Sequence, residues 1–404
     1  MLLKKVNGMI ILAISIFAVL ITFSNPRIDP QKFFVSLSSS SSGEDCLVYS
    51  QSPSFVSLAS VQDSFSFNSV RTGLDYDFYR SSCPDAEKIV GSTMAQIYSQ
   101  HKDVSPALLR LFFHDCFVHG CDASILLDDS FGDKNYSAEK DAVPNRTLKS
   151  LDKIDHIKGE LERVCPGVVS CADIISLATR DGIVLAGGPF YPVFTGRRDS
   201  IRSYHDEALA EIPKPDDDLT QILHLFALKG FNERETVSLL GGHNIGKMSC
   251  EFIHNRLYNF NGTGQPDPTL APNFLNEMRL RCREDNGTLS RNGLFERMHS
   301  RGSGESASGR PSIEELSSSV PSGADFDTHY YQRLLMGRGL LFADQQLMAA
   351  KKTEGLVRAY ASDDGSTFRI DFAGAMMKMS NLNVLTGTQG RVRLNCSLPL
   401  FSAK

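Results

Sequence analysis

The spacing of apolar residues beyond residue 74 predicts a chain made mainly of α-helices. Apolar side chains recur there at intervals of three and four positions, which places them on one face of a helix. Turn-forming clusters at 187–189 and 262–268 separate the apolar stripes, and alternating strand patterns are scarce. Three stripes carry the prediction: Leu151, Ile154, Ile157 and Leu161; Cys171, Ile174, Ile175 and Ala178; and Leu219, Ile222, Leu223 and Phe226.

The first 24 residues have the pattern of a targeting segment. Lys4 and Lys5 precede an apolar run from Met9 to Phe23, which is typical of a signal peptide. With its edges included, the run approaches the shortest membrane-spanning helix. Residues 1–24 are therefore either a signal peptide or an uncleaved anchor, and contact with a membrane is expected only in the second case.

Two further segments have a low-complexity composition. Residues 25–73 are rich in Ser and have no sustained apolar period, which predicts a disordered arm. Residues 300–323 are dominated by Ser, Gly and Arg and predict an inserted surface loop. The folded domain is expected over residues 74–398.

Charge and cysteine content narrow the class of protein. The 404 residues carry a net charge of −5 with scattered Lys and Arg, so no face for nucleic acid is expected. Eight of the nine cysteines lie beyond residue 80, and an even set in a secreted chain predicts four disulfides, with Cys46 left over. Five Asn-x-Ser/Thr sequons are compatible with glycosylation in the same compartment: Asn135, Asn145, Asn261, Asn286 and Asn395.

The segment LLRLFFHDCF carries a candidate base and a candidate cation. Arg110 and His114 are four residues apart, so on a helix their side chains share one face. The apolar residues around them favour a neutral imidazole and strengthen the field of the guanidinium. The alternative is a core helix in which both residues pair with buried acids.

A second histidine, His243, follows Gly241 and Gly242. Paired glycines allow the backbone to approach a flat ligand, although a loop histidine at a helix end is the alternative. Haem peroxidase chemistry needs one histidine on the iron and a separate base and cation on the opposite face. Arg110, His114 and His243 together favour that chemistry.

A zinc site is a second interpretation of the segment that contains His114. Cys116, His119 and Cys121 lie close to His114 in sequence and are zinc ligands by residue type. Cysteines oxidised to disulfides cannot serve as thiolate ligands, which favours the first interpretation in a secreted chain.

Six blocks in order resemble the class III peroxidases, the secretory plant haem peroxidases, over about residues 74–398. The blocks are YRSSCPDAEKIV from Tyr79, LLRLFFHDCFVHGCDASILL from Leu108, CADIISLATRD from Cys171, GRRDS from Gly196, GGHNIGK from Gly241 and LTGTQGRVRLNC from Leu385. The resemblance implies a two-domain helical fold that holds haem b between a distal half (about 74–215) and a proximal half (about 216–398). It also implies a monomer secreted to the extracellular space or cell wall rather than the vacuole.

The activity implied by the resemblance is the reduction of hydrogen peroxide and the one-electron oxidation of phenolic donors through a ferryl intermediate. His114 matches the distal base, Arg110 the distal arginine, and Asn145 the residue whose carbonyl accepts the Nδ1 proton of the base. His243 matches the axial ligand of the iron. Asp344 matches the carboxylate behind that ligand, and Pro213 matches the proline that holds a donor at the haem edge.

Two calcium sites are typical of the family. The distal site is implied by hard oxygen ligands: side chains of Asp115, Asp122 and Ser124, carbonyls of Val118 and Gly120, and Glu139 through water. The proximal site has weaker candidate ligands. Asn244 and Ser322 stand where the family has threonines, and Ser319 stands where it has an aspartate, so Asp327 is the best remaining ligand.

The resemblance also implies a disulfide framework and a buried ion pair. The ion pair joins Asp173 to Arg197 and is expected to be structural. The implied disulfides are Cys83 with Cys165, Cys116 with Cys121, Cys171 with Cys396, and Cys250 with Cys282.

Three departures from the family bear on haem binding and electron transfer. Asp103 and Ala107 stand where the family has an arginine and a serine that hold the haem propionates, so weaker anchoring is expected. Tyr191 takes the place of the family's tryptophan, and the chain contains no Trp. The alternative function is therefore a secreted, catalytically impaired pseudoperoxidase with a binding or cell-wall structural role.

Overall fold

Thirteen α-helices account for about half of the residues that the computed structural model describes, which are 73–128, 137–282, 313–315 and 326–398. In the first part of the chain they are α1 (Ala86–Gln100), α2 (Val104–Phe117), α3 (Leu151–Val164), α4 (Cys171–Leu185), α5 (His205–Glu211), α6 (Leu219–Leu228) and α7 (Glu233–Leu240). In the second part they are α8 (His254–Tyr258), α9 (Pro272–Arg281), α10 (His329–Leu335), α11 (Phe342–Gln345), α12 (Lys351–Ser362) and α13 (Ser366–Met379).

The prediction of a mainly helical fold is confirmed. The three apolar stripes lie on α3, α4 and α6, and their inner residues, such as Ile157, Ile175 and Ile222, are buried. Burial of one apolar face drives each of these helices onto the rest of the core.

One short sheet is present in the described residues. Strand β1 (Lys247–Ser249) pairs antiparallel with β2 (Ile313–Glu315), with Met248 opposite Glu314. Three residues of the predicted loop over 300–323 therefore form a strand. A three-residue strand is held by its partner's backbone, so it leaves almost no periodic signal in the sequence.

Side-chain caps fix the beginnings of α4 and of α7, the helix that precedes His243. Ser170 accepts a hydrogen bond from the Asp173 N–H at the start of α4. Asn232 and Glu235 form a reciprocal capping box at the start of α7. Helix α7 ends at the paired glycines that precede His243, so its position along the chain fixes where that histidine lies.

A buried ion pair stabilises the junction between α4 and the segment around residue 197. Arg197 Nη1 lies 2.7 Å from Asp173 Oδ1, and both side chains are fully buried. Asp173 Oδ2 also accepts hydrogen bonds from the Tyr79 hydroxyl at 2.6 Å and the Gly196 N–H at 2.7 Å. Because each charged group has partners, this cluster stabilises the structure and has no free group for chemistry.

All described residues belong to one compact unit. The division into distal and proximal halves near residue 215 stays a prediction. The targeting segment, the arm up to residue 72 and Cys46 lie outside the described residues, as do the sequons at Asn135 and Asn286. Among the described helices, none combines the length and apolar character needed to cross a membrane.

Four disulfide bonds link the described residues, and they join the four pairs implied by the resemblance. The Cys171–Cys396 bond spans 225 residues, whereas the Cys250–Cys282 bond spans 32. The longer bond ties the start of α4 to the C-terminal segment. It therefore restricts the unfolded chain far more than the shorter bond does.

We expect the double substitution Cys171→Ser/Cys396→Ser to lower the free energy of unfolding by about 2–5 kcal/mol. Since the closed loops differ in length about sevenfold, the loss should exceed that of Cys250→Ser/Cys282→Ser by about 1.7 kcal/mol. Denaturant unfolding of the two variants and the parent measures the difference. Equal losses would contradict the argument from chain entropy.

Candidate active site

Helix α2 presents the candidate base and cation on one face. His114 is buried, and its Nδ1 lies 2.6 Å from Asn145 Oδ1. The Asn145 amide is oriented by a second bond, from Nδ2 to the Glu139 carbonyl at 2.8 Å. Since the amide oxygen faces the ring, Nδ1 carries the proton, and Nε2 is left with its lone pair. In the described part of the chain, Nε2 of His114 has no hydrogen-bond partner.

The surroundings of His114 keep its ring neutral. Burial lowers the pKa of His114 to about 3, with a further contribution from the charge of Arg110, while the hydrogen bond to Asn145 opposes the shift. A neutral imidazole is the form that can accept a proton.

The loop that carries Asn145 also holds Arg110. Arg110 Nη2 donates to the Pro144 carbonyl at 2.9 Å, and Nη1 donates to the Thr147 hydroxyl at 3.0 Å. Burial lowers the pKa of Arg110, yet a guanidinium keeps its charge in proteins. The loop from Pro144 to Thr147 therefore fixes the side chains of Arg110 and His114. No pattern in the sequence indicates the contacts with Pro144 and Thr147.

His243 lies on a 3₁₀ turn directly after α7, and a buried carboxylate orients its ring. Its Nδ1 is 2.8 Å from Asp344 Oδ1. Asp344 is 1% exposed and lies in the first turn of α11, where its Oδ2 accepts the Leu341 N–H at 3.1 Å. The side chain of His243 is 38% exposed, and its Nε2 has no hydrogen-bond partner within the described residues. This nitrogen is available to a metal.

Protein packing requires the first of the paired glycines before His243 and leaves little room at the second. A Cβ at Gly241 would lie 2.2 Å from the Tyr331 hydroxyl oxygen, and a Cβ at Gly242 would lie 3.2 Å from Leu109 Cδ2. The sequence predicted close approach to a flat ligand, whereas the nearest atoms belong to protein side chains. Because Leu109 precedes Arg110 on α2, the contact brings the segment of His243 against the helix that carries the base.

The arrangement fits haem as the bound group. An imidazole with Nδ1 bound to a carboxylate and Nε2 uncommitted is the donor that a haem iron takes as an axial ligand. Asp103 is exposed at the start of α2, and Ala107 on α2 has only a methyl group. The weaker propionate anchoring expected from these two residues stays a prediction.

A cluster of buried oxygen atoms follows α2. Asp115, Asp122, Ser124 and Glu139 are all buried. Within the described residues, Asp115 Oδ1, Ser124 Oγ and Glu139 Oε1 have no hydrogen-bond partner. Unpaired buried oxygens of this kind are costly unless a cation satisfies them.

The charges of this cluster repel one another. Burial raises the pKa of Asp122 to about 7. Burial and then the neighbouring charge of Asp122 raise the pKa of Asp115 well above its ordinary value, and burial and Asp115 do the same for Glu139. A divalent cation would remove this repulsion, so the residues fit the expected distal calcium.

The loop that follows α2 requires glycine at one position. Gly120 has φ +147°, and a Cβ there would lie 2.6 Å from the Asn383 carbonyl oxygen, so only glycine fits. No group of three His, Cys, Asp or Glu side chains in the described ranges could hold a metal alone. A cation would therefore also need Ser124 and backbone carbonyls such as those of Val118 and Gly120, which suits calcium.

The zinc interpretation is wrong. Cys116 and Cys121 are bonded to each other. A disulfide supplies no thiolate to a metal.

The two described residues of the expected proximal calcium site, Asn244 and Asp327, form hydrogen bonds within the protein. Asn244 is fully buried, with Nδ2 donating to the Asp327 carbonyl at 2.6 Å and Oδ1 accepting the Tyr330 N–H at 3.2 Å. Asp327 Oδ1 accepts the His329 N–H at 2.8 Å. Hydrogen bonds thus join the segment after His243 to the start of α10. Ser319 and Ser322 lie outside the described residues.

The structure also describes Pro213 and Tyr191, two further predicted positions. Pro213 is half-buried in the segment between α5 and α6, and the Pro215 carbonyl accepts the Ala343 N–H at 3.0 Å, next to Asp344. Tyr191 is buried, and burial raises the pKa of its hydroxyl, which has no hydrogen-bond partner within the described residues.

One residue of the site was missed altogether. The Tyr330 hydroxyl donates to Asp344 Oδ1 at 3.0 Å. Tyr330 is separated from His243 by 87 positions, so no spacing in the sequence could have indicated it.

Comparisons with known proteins show the family of the chain. The profile of the family described as Peroxidase matches residues 90–363. The chain is 50% identical to "Putative Peroxidase 48" of Arabidopsis thaliana over 341 residues, which cover 82% of this chain and 83% of that protein. It is 42% identical to Peroxidase 23 of the same plant, covering 79% and 85%, and 39% identical to Peroxidase N1 of Nicotiana tabacum, covering 80% and 90%. The chain belongs to the peroxidase family, which is a family of enzymes.

The sequons in the described residues differ sharply in exposure. Asn145 is 2% exposed with both amide atoms in hydrogen bonds, whereas Asn261 is exposed on a turn with φ +51°. When the chain is expressed through a eukaryotic secretory pathway, we expect a glycan on Asn261 and none on Asn145 in the folded protein. Glycopeptide mass spectrometry measures both, with Asn261→Gln as the control. A glycan on Asn145 would contradict the structure of the site.

Proposed function

We propose that the chain is a haem peroxidase that reduces hydrogen peroxide and oxidises small phenolic donors in one-electron steps. One observation carries the proposal. Both histidines are hydrogen-bonded at Nδ1, His114 to Asn145 at 2.6 Å and His243 to Asp344 at 2.8 Å. Each Nε2 is thereby left for chemistry, one for a proton and the other for a metal.

Haem b, when bound, supplies the redox chemistry that amino acid side chains cannot. His243 would hold its iron through Nε2. The hydrogen bond from Nδ1 to Asp344 gives that imidazole anionic character, which makes it a stronger electron donor to a metal.

The distal residues would move the proton and stabilise charge. His114 is neutral and buried, and its Nε2 would accept one proton of hydrogen peroxide. It would return that proton to the other peroxide oxygen, which leaves when the O–O bond breaks. Arg110 stabilises the negative charge that develops on the leaving oxygen as the O–O bond breaks. The bonds from Arg110 to Pro144 and Thr147 restrict the guanidinium beforehand, so little reorganisation is needed during the reaction.

Electron donors would reach the haem edge directly. The chain has no Trp that could relay an electron from a distant surface site. Pro213 is the residue proposed to hold a phenolic donor. A pseudoperoxidase remains the second candidate, because Asp103 and Ala107 offer the propionates neither a cation nor a hydroxyl group.

We further propose one bound calcium ion, at the distal site. The unpaired oxygens of Asp115, Ser124 and Glu139 support it, while the hydrogen-bonded amide of Asn244 argues against a second ion. Export to the extracellular space or cell wall is supported by the four disulfides, which persist in oxidising compartments.

The proposed activity is tested on the purified, calcium-loaded protein. We expect a haem absorption spectrum and phenol oxidation that depends on added hydrogen peroxide. A folded protein that neither retains added haem nor oxidises phenols would favour the pseudoperoxidase.

The substitution His114→Ala should slow the reaction with peroxide by about 10² to 10⁴, because the proton would lose its acceptor. The haem spectrum should persist, since His243 is unchanged. Stopped-flow absorption measures the rate constant, and His224→Ala, which changes an exposed histidine on α6, is the matched control. An unchanged rate in His114→Ala would remove the proposed base.

The free energy of unfolding of the calcium-free protein should be about 2.7 kcal/mol lower than that of the protein with free calcium at a hundredfold excess over its Kd. Asp122→Asn should abolish most of that difference, because one ligand charge is lost. Asp155→Asn, which changes an exposed carboxylate on α3, should retain it. Unfolding with and without a chelator measures the effect, and calorimetry counts the ions. Two ions per chain would contradict the proposed stoichiometry.

A further inference from the structure

A third side chain completes the proximal pair of His243 and Asp344. The Tyr330 hydroxyl donates to Asp344 Oδ1 at 3.0 Å, and this is the same oxygen that bonds His243 Nδ1 at 2.8 Å. The other oxygen of Asp344 accepts the Leu341 N–H at 3.1 Å. The carboxylate therefore shares its negative charge among three donors, and two of them compete at one atom.

Tyr330 acts as a donor here and not as an acceptor. The side chain is buried, and burial, followed by the charge of Asp344, raises the pKa of the phenol well above its ordinary value. The hydroxyl thus keeps its proton. A carboxylate without a proton has only acceptor sites, so the direction of the bond is fixed.

The position of Tyr330 is set by the residue next to His243. The Tyr330 N–H donates to Asn244 Oδ1 at 3.2 Å, and Asn244 Nδ2 donates to the Asp327 carbonyl at 2.6 Å. The ring of Tyr330 packs edge to face with those of His243, at 6.3 Å between centroids, and Tyr331, at 5.0 Å. Backbone and ring contacts together hold the hydroxyl on Asp344.

We propose that Tyr330 is a positioning residue that limits the electron donation of His243, by sharing the charge of Asp344 Oδ1. The inference rests on the proposed function, because it needs haem iron on His243 Nε2. In a buried site of low dielectric, removing one donor from a carboxylate strengthens its bond to the donors that remain. Without the Tyr330 hydroxyl, Asp344 would draw the Nδ1 proton of His243 more strongly, and the imidazole would become more anionic.

The measurable consequence lies in the bound iron. A more anionic axial imidazole stabilises ferric over ferrous iron and strengthens the iron–nitrogen bond. Tyr330→Phe should therefore make the ferric/ferrous reduction potential more negative and raise the iron–histidine stretching frequency. A residue that only fills space would leave both quantities unchanged.

Tyr331→Phe is the matched control. Tyr331 is adjacent to Tyr330 on α10, is equally buried, and donates its hydroxyl to the Val237 carbonyl at 3.0 Å. It has no hydrogen bond to Asp344 in the described residues. The control removes one buried phenolic hydroxyl from the same helix, so it reproduces any general loss of packing or stability.

The experiment measures the reduction potential and the iron–histidine stretching frequency of the haem-loaded parent and both variants. We expect Tyr330→Phe alone to shift both. If Tyr330→Phe matches the parent, or if both variants shift equally, the inference is overturned while the proposed function stands. A parent protein that binds no haem through a histidine would overturn both.

A second substitution keeps the test decisive if Tyr330→Phe fails to fold. Replacing Tyr330 with 3-fluorotyrosine retains the shape of the ring and makes the hydroxyl a stronger donor. The stronger donor should shift the reduction potential in the positive direction, opposite to Tyr330→Phe. A negative shift of the reduction potential, or no shift, would contradict the sharing of charge at Asp344.

Discussion

The hydrogen bond at Nδ1 of each histidine is the constraint on which the site depends. An imidazole can present either nitrogen, and only a fixed acceptor at one of them decides which is left for chemistry. Asn145 is that acceptor for His114, and Asp344 for His243. A neutral amide and a charged carboxylate have different effects on the imidazole that they bind. The first leaves a ring that can still accept a proton, whereas the second makes its ring an electron donor to a metal.

Much of the remaining structure serves to hold these two acceptors. Asn145 is oriented by the Glu139 carbonyl, and Glu139 belongs to the cluster of buried oxygens after α2. A cation in that cluster would therefore stabilise the segment that orients the distal base. On the other side, the backbone of α11 and the hydroxyl of Tyr330 fix Asp344. Neither acceptor relies on an exposed side chain, so water competes little for these bonds.

The sequence predicted the elements better than it predicted the contacts between them. Apolar periodicity located α3, α4 and α6, and the spacing of Arg110 and His114 placed both on one face of α2. Periodicity reports only which face of a helix is buried. The bonds from Arg110 to Pro144 and from Tyr330 to Asp344 join residues in different elements. Strand β2 was not predicted for a related reason, because three residues that pair through their backbones need no pattern of side chains.

One departure of this chain from the expected family pattern is Asn244, which follows His243. A threonine and a metal would hold the segment through oxygen ligands, but an amide can both donate and accept. Asn244 uses this capacity to join Asp327 and Tyr330, which brings the start of α10 up to the histidine. Tyr330 then reaches the carboxylate that polarises the ring. The hydrogen bonds of Asn244 thus hold the segment after His243 without an ion from solution. The same bonds position the Tyr330 hydroxyl, which shares the charge of the carboxylate that polarises His243.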